Sequence, residues 1–210
     1  MIKFDPFIHH RHSTRLNNYD YSQQGLYFIT ICCKDGFSFF GEIKEGEMYL
    51  SKIGEIAYNE WLKTELIRDN IKLYSFVIMP NHFHAIIEIL YQNTTYTNKN
   101  TFSSPSNTIG SIVRGYKGAT SHLVNDNNLW ENLPNLELYR SSNSSVFTEK
   151  TPTLWQRNYH DHIIRNYNSF KKITDYIINN PKNWDKDCFI DNNISPDTCS
   201  YYNKDLYTFT

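Results

Sequence analysis

The spacing of apolar and polar residues changes several times along the chain, and each change marks an element. Gly25 to Cys32 is β-branched and aromatic throughout and predicts a strand. Phe39 to Leu50 places Glu45-Gly46 between two short apolar stretches, the pattern of a small hairpin. From Ser51 the period becomes three and four: Ile53, Ile56, Ala57, Trp61 and Leu62 predict an amphipathic helix over 51–68, with Ser51 as its cap. Ile71 to Met79 and a second apolar run to Leu90, broken by Pro80-Asn81, predict two strands joined by a tight bend. Helical spacing returns over 108–124 through Ile109, Ile112, Val113, Tyr116 and Leu123. Leu154 to Arg165 reads as a last strand and its exit. Residues 169–180 read as a helix with Phe170, Ile173 and Ile177 on one side, Asn168 or Ser169 as cap, and Pro181 as its stop. Residues 91–107 and 125–153 are polar and aperiodic, and read as loops.

Without the hairpin, the order is strand, helix, strand, strand, helix, strand and one more helix. That is the split βαβ arrangement of a ferredoxin-like fold, an α+β antiparallel sheet (βαββαβ) with helices on one face and an additional C-terminal helix. The expected organisation is a single domain over residues 1–186 with an N-terminal arm and the two loop insertions, followed by a tail over 187–210 to which no element is assigned.

Composition narrows the class. Hydrophobic residues make up 40% of the chain and aromatic ones 16%, which places it among globular proteins rather than disordered ones. With 16 tyrosines in the chain, no single tyrosine is informative by itself. A formal charge of −1 excludes a broadly basic nucleic-acid binder, so any contact with a polyanion must come from local patches. Cys32, Cys33, Cys188 and Cys199 show no Cys-x-x-Cys spacing, which argues against a structural zinc site or a disulfide framework and for a reduced, cytoplasmic setting. No apolar run approaches the roughly 18 residues of a membrane span, and the first residues lack the apolar core of an export signal.

The candidate chemistry centres on Met79-Pro80-Asn81-His82-Phe83-His84. Alternate side chains of a strand share a face, so His82 and His84 project together while Phe83 points the other way, and two such imidazoles can grip one divalent cation. For a bare His-x-His, a hairpin with two surface histidines is the competing reading. Arg11 and Arg15 in the polar arm, and Arg114 and Lys117 close together on a predicted helix, are candidate phosphate contacts. A solvated terminus accounts for the arm equally well.

These segments together resemble the single-tyrosine HUH transposases, most closely the branch associated with repetitive extragenic palindromes. The resemblance rests on Met79 to His84, on Arg15-Leu16 and Tyr19-Asp20-Tyr21 before the first strand, and on the Trp155-Gln156 to Arg165 segment. It extends to Tyr176, Asn180 and Pro181 with Asn183-Trp184-Asp185 beyond, and spans about residues 11–186. It implies a metal-dependent enzyme that nicks and rejoins single-stranded or hairpin DNA through a 5′-phosphotyrosine. Tyr176 would be the nucleophile, and His82 and His84 would hold magnesium or manganese. In these transposases a polar amide four residues after the tyrosine completes the metal site; Asn180 occupies that position, and residues i and i+4 share a helix face. The resemblance also implies a monomer rather than a homodimer.

Tyr159 competes as nucleophile, but a packing role beside Trp155 is the simpler reading, and Ile163 four residues on cannot bind a metal. Glu88 and His162 are further candidates for support of the reaction. A catalytically silent DNA-hairpin binder is an alternative, set against the joint presence of His82, His84 and Tyr176. A zinc hydrolase is another, disfavoured because no third ligand stands at zinc spacing. The neutral charge and the two long polar loops depart from the family pattern and bear on affinity for DNA.

Overall fold

The computed structural model describes residues 19–92, 107–133, 153–187 and 189. Arg11, Arg15 and most of the two polar loops lie outside these. The elements run β1 Gly25–Cys32, β2 Gly41–Lys44, β3 Glu47–Leu50, α1 Lys52–Leu66, β4 Ile71–Ile78, β5 His82–Ile89, α2 Ile109–Asp126, β6 His160–Ile164 and α3 Tyr167–Asn179. Strands β4, β5, β1 and β6 form a four-stranded sheet in that order, and each neighbouring pair is antiparallel. This is the ferredoxin-like α+β architecture that the periodicity predicts, with β2 and β3 as a separate hairpin.

The two faces of the sheet do different work. Tyr27, Ile29 and Ile31 of β1 and Phe83, Ala85 and Ile87 of β5 face α1 and α2, where they meet Ile53, Ala57, Trp61, Ile112, Val113 and Tyr116 in the main core. The alternate residues Phe28, Cys32 and Ile86 face the other way and are covered by Ile173 and Ile177 of α3, forming a second, smaller core. The first two helices thus share one face, and α3 lies on the opposite face, the one that carries His82 and His84. Because both faces are covered, β5 is buried almost throughout despite its two histidines.

Strand β4 keeps its pattern through a bulge. Leu73 pairs with Ile87 and Phe76 with Ala85, so one extra residue is accommodated and both apolar side chains reach the main core. The hairpin and α1 are joined tightly. Ser51 caps α1 by accepting from Gly54 N at 3.1 Å, and its hydroxyl donates to Phe39 O at 2.7 Å. A Cβ at Gly54 would stand 2.1 Å from Phe40 O, so only glycine permits this seating.

Three boundaries differ from expectation. Asn166, not Asn168 or Ser169, caps α3, its side chain accepting from Ser169 N, because the strand exit is short enough to let the helix begin at Tyr167. The last strand is confined to His160–Ile164, while Trp155 forms only an isolated bridge with Cys33. The loop read over 125–153 is partly structured: Leu129–Asn132 is a 3₁₀ turn whose Trp130 is buried and donates from Nε1 to Asn125 Oδ1 at 2.6 Å.

Candidate active site

The site is built on the two central strands, the most constrained part of the sheet. His82 and His84 lie on β5, and the register sets Cys32 opposite His82 and Thr30 opposite His84. The bend before His82 is pinned through its backbone: Met79 N donates to His82 O, Cys33 N to Asn81 O, and Phe40 N to Pro80 O. Both imidazoles are fully buried, with ring centroids 4.5 Å apart, which excludes the reading of surface histidines.

Neighbouring side chains orient each ring. Asn81 Nδ2 donates to Gly36 O and Phe189 O at 3.1 and 2.6 Å. Its Oδ1 therefore accepts from His82 Nδ1 at 2.9 Å, which places the proton on Nδ1 and leaves the Nε2 lone pair open. Thr30 Oγ1 lies 2.7 Å from His84 Nδ1, and the hydroxyl of Tyr176 lies 3.1 Å from His84 Nε2. When the phenol donates, Nδ1–H of His84 donates to Thr30. Burial pushes the His82 imidazole down to about 4, against the opposing pull of Asp187 and Asn180. Burial, with His82 and His160 nearby, holds His84 well below its usual range. Both rings are therefore in the neutral form that metal ligation requires.

Asp187 completes the group. Its Oδ1 accepts from Phe189 N at 2.9 Å, which turns Oδ2 towards His82 Nε2 at 3.9 Å. Ligand atoms of His82, His84 and Asp187 all lie within 4.8 Å of one another. Three donors about 2.0–2.2 Å from one ion stand roughly 3–3.6 Å apart, so the group must draw in by up to about an ångström to hold an ion. Asn180 is 2% exposed, and its Oδ1 is buried without a hydrogen-bond partner, as is His82 Nε2. Two orphaned lone-pair donors beside a buried carboxylate fit a divalent cation held by His82, His84 and Asp187, with Asn180 Oδ1 as an oxygen donor.

The residues singled out in the sequence fall into three groups. His82, His84, Tyr176 and Asn180 are brought together. Glu88 is on the same face but accepts from Tyr74 OH at 2.7 Å, and Tyr74 packs edge-on against Phe170 of α3, so this pair braces the helix. His162 stands opposite Phe28, half buried, with burial lowering its basicity. Tyr159 belongs to the main core behind the sheet.

Lys117, expected near DNA phosphates, has partners within the fold. Its ammonium donates to Gln156 O and Asn158 O at 2.7 and 2.8 Å, tethering α2 to the approach to β6, and burial pushes it down to about 8. Arg114 is exposed on the same helix, on the face of the sheet away from the histidines.

Asp187 was missed because it lies beyond the expected end of the domain, in the tail that has no clear period. Phe189, against His82 at 4.4 Å between ring centroids, was missed for the same reason. Asp187 also removes the ground on which zinc was disfavoured: a third candidate ligand comes from distant sequence, where no spacing rule could reveal it.

No known protein-family model matches the chain. It is 38% identical over 198 residues to an uncharacterized protein of Haemophilus influenzae strain Rd, covering 88% of this chain and 96% of that one. The chain belongs to the same family as that protein. Among solved structures, the REP-associated tyrosine transposase bound to a REP hairpin is similar to it with a TM-score of 0.51. That likeness covers 81% of this chain and 74% of the other at 16% identity, and shows a shared fold. Among the described residues, no helix is long and apolar enough to cross a membrane.

Proposed function

We propose that the protein is a transposase-type enzyme that nicks and rejoins single-stranded or hairpin DNA, with Tyr176 as nucleophile. The observation that carries this reading is the convergence of a tyrosine hydroxyl, 3.1 Å from His84 Nε2, with a buried His-His-Asp group able to hold a cation. The fold shared with a hairpin-bound tyrosine transposase supports it.

The chemistry follows from the groups present. A phosphodiester repels nucleophiles and has a poor leaving group, so a nicking site needs charge neutralisation and a positioned attacking atom. A divalent cation, magnesium or manganese, held by His82, His84, Asp187 and Asn180 would supply the neutralisation. Thr30 and Asn81 keep the two imidazoles in the required tautomer. Helix α3 positions the Tyr176 oxygen to attack phosphorus. The tyrosine O–P bond forms and the P–O3′ bond breaks; the phenol gives its proton to solvent, and the 3′-oxygen gains one. The product is a 5′-phosphotyrosine with a free 3′-OH, which can reverse the step and join strands. Phe28, stacked on His84 at 5.4 Å, and Phe189 against His82 exclude water from the inner side of the site.

Arg11, Arg15 and Arg114 are proposed as contacts to DNA phosphates away from the reacting centre, and the working unit as a monomer. Hydrolysis by a zinc-activated water is a second reading, favoured by the His-His-Asp set itself.

The test is incubation with a hairpin-flanked single-stranded oligonucleotide and manganese, with mapping of any covalent adduct. An adduct on Tyr176 that is lost in Tyr176→Phe, His84→Ala, Asp187→Ala and excess chelator is expected. Cleavage that survives Tyr176→Phe and yields only hydrolysed ends would favour the zinc reading. Equal cutting of blunt duplex would remove the single-strand requirement.

A further inference from the structure

The 3₁₀ turn Pro181–Lys186 that follows α3 arranges its side chains in two rows. At three residues per turn, positions i and i+3 eclipse, so Asn180, Asn183 and Lys186 form one row and Trp184 and Asp187 another. The second row faces His82, with the Trp184 ring 6.1 Å from the imidazole between centroids and Asp187 Oδ2 at 3.9 Å. In the first row Asn180 is buried while Asn183 and Lys186 are exposed, and these three with Tyr176 and Asp187 line a crevice directly beside the candidate nucleophile.

The chemistry of that crevice is asymmetric. Lys186 is the one cationic side chain of the five that line it. It is exposed, and among the described residues no carboxylate pairs with its ammonium. Asn183 donates from Nδ2 to Asn179 O at 3.0 Å, which fixes its amide on the crevice wall and leaves the second amide hydrogen to be donated. Asn180 Oδ1 at the inner end is an acceptor and belongs with the candidate cation ligands, so the donors to an anion are Lys186 and Asn183. A phosphodiester reaching Tyr176 must come close to the Asp187 carboxylate, which repels it, and Lys186 adjoins that carboxylate in the chain.

We infer that this crevice is a phosphate subsite for the strand being cut, with Lys186 as its charge partner and Asn183 as a neutral donor. The inference rests on the proposed DNA-nicking reading. It adds to that reading two binding residues, neither of which holds the cation, and places the phosphate at the exposed end of the first row. A nucleic-acid backbone is the ligand class, since one cation and one amide donor suit a singly charged phosphodiester.

Lys186→Ala and Lys186→Arg in the full chain test it by two readouts, single-turnover adduct formation at subsaturating oligonucleotide and the salt dependence of single-strand binding. Loss of one charge-assisted contact should slow adduct formation by about 10- to 100-fold in Lys186→Ala, and Lys186→Arg should retain most of the rate. The slope of log affinity against log salt should fall by about 0.7 in Lys186→Ala, the amount for one phosphate contact on a single strand. Manganese affinity should be unchanged, which separates a phosphate contact from collapse of the metal site. A Lys186→Ala chain with the wild-type rate and slope overturns the inference. Absence of any adduct in the wild-type chain defeats the nicking reading instead, and the salt slope then still decides whether Lys186 touches a phosphate.

Discussion

The hydroxyl of Tyr176 lies 3.1 Å from Nε2 of His84, the nitrogen that a cation would need. One nitrogen cannot hold both at once, so the phenol and the metal compete for His84. In the proposed reaction the hydrogen bond would keep the phenol beside the candidate metal ligands, and its release on cation binding would free the oxygen for attack.

Removing that competitor should strengthen metal binding. A net hydrogen bond of about 0.5–1.5 kcal/mol corresponds to roughly a 2- to 10-fold gain in manganese affinity for Tyr176→Phe, even though the variant cannot form an adduct. Calorimetric titration of both chains measures it; equal or weaker binding by the variant would show that the phenol does not occupy the ligand position.

Asn81 holds the site from behind. It orients His82 and ties Gly36 and Phe189 to the bend. Asn81→Ala should cost about 10- to 100-fold in metal affinity, the usual effect of losing a group that orients a ligand. It should also cost about 1–3 kcal/mol of stability, because buried carbonyl acceptors lose their donor. Metal titration and urea unfolding report the two effects, and an unchanged metal affinity would contradict the orienting role.

The histidines and the tyrosine meet within one chain, which leads to a prediction about assembly. A mixture of His84→Ala and Tyr176→Phe chains should form no adduct, since neither chain carries a complete site. Recovered activity in the mixture would show that tyrosines are exchanged between protomers.

Lys117 should matter for stability and not for DNA. Its two carbonyl partners belong to exposed residues that water can reach, so Lys117→Met should cost only about 1 kcal/mol in urea unfolding. The salt dependence of oligonucleotide binding should not change. A slope reduced by a full phosphate contact would return Lys117 to the interface.

What was legible in the sequence is what short-range geometry encodes. The period of two places His82 and His84 on one face, and the helical period places Tyr176 and Asn180 on another, because each pattern depends only on dihedrals within a few residues. The strand and helix order, and with it the ferredoxin-like class, follows from the same local periods. Which face of the sheet each helix covers is a different matter. Helices α1 and α2 pack against Tyr27, Ile29 and Phe83, and α3 packs against Phe28 and Ile86, a division that depends on connections across the whole chain. Only the tertiary structure brings Asp187 and Phe189 to His82, sets Thr30 opposite His84, and turns Lys117 onto carbonyls. These contacts join residues far apart in sequence, and the pairing register and competition among burial, hydrogen bonds and charge that select them have no local period to read.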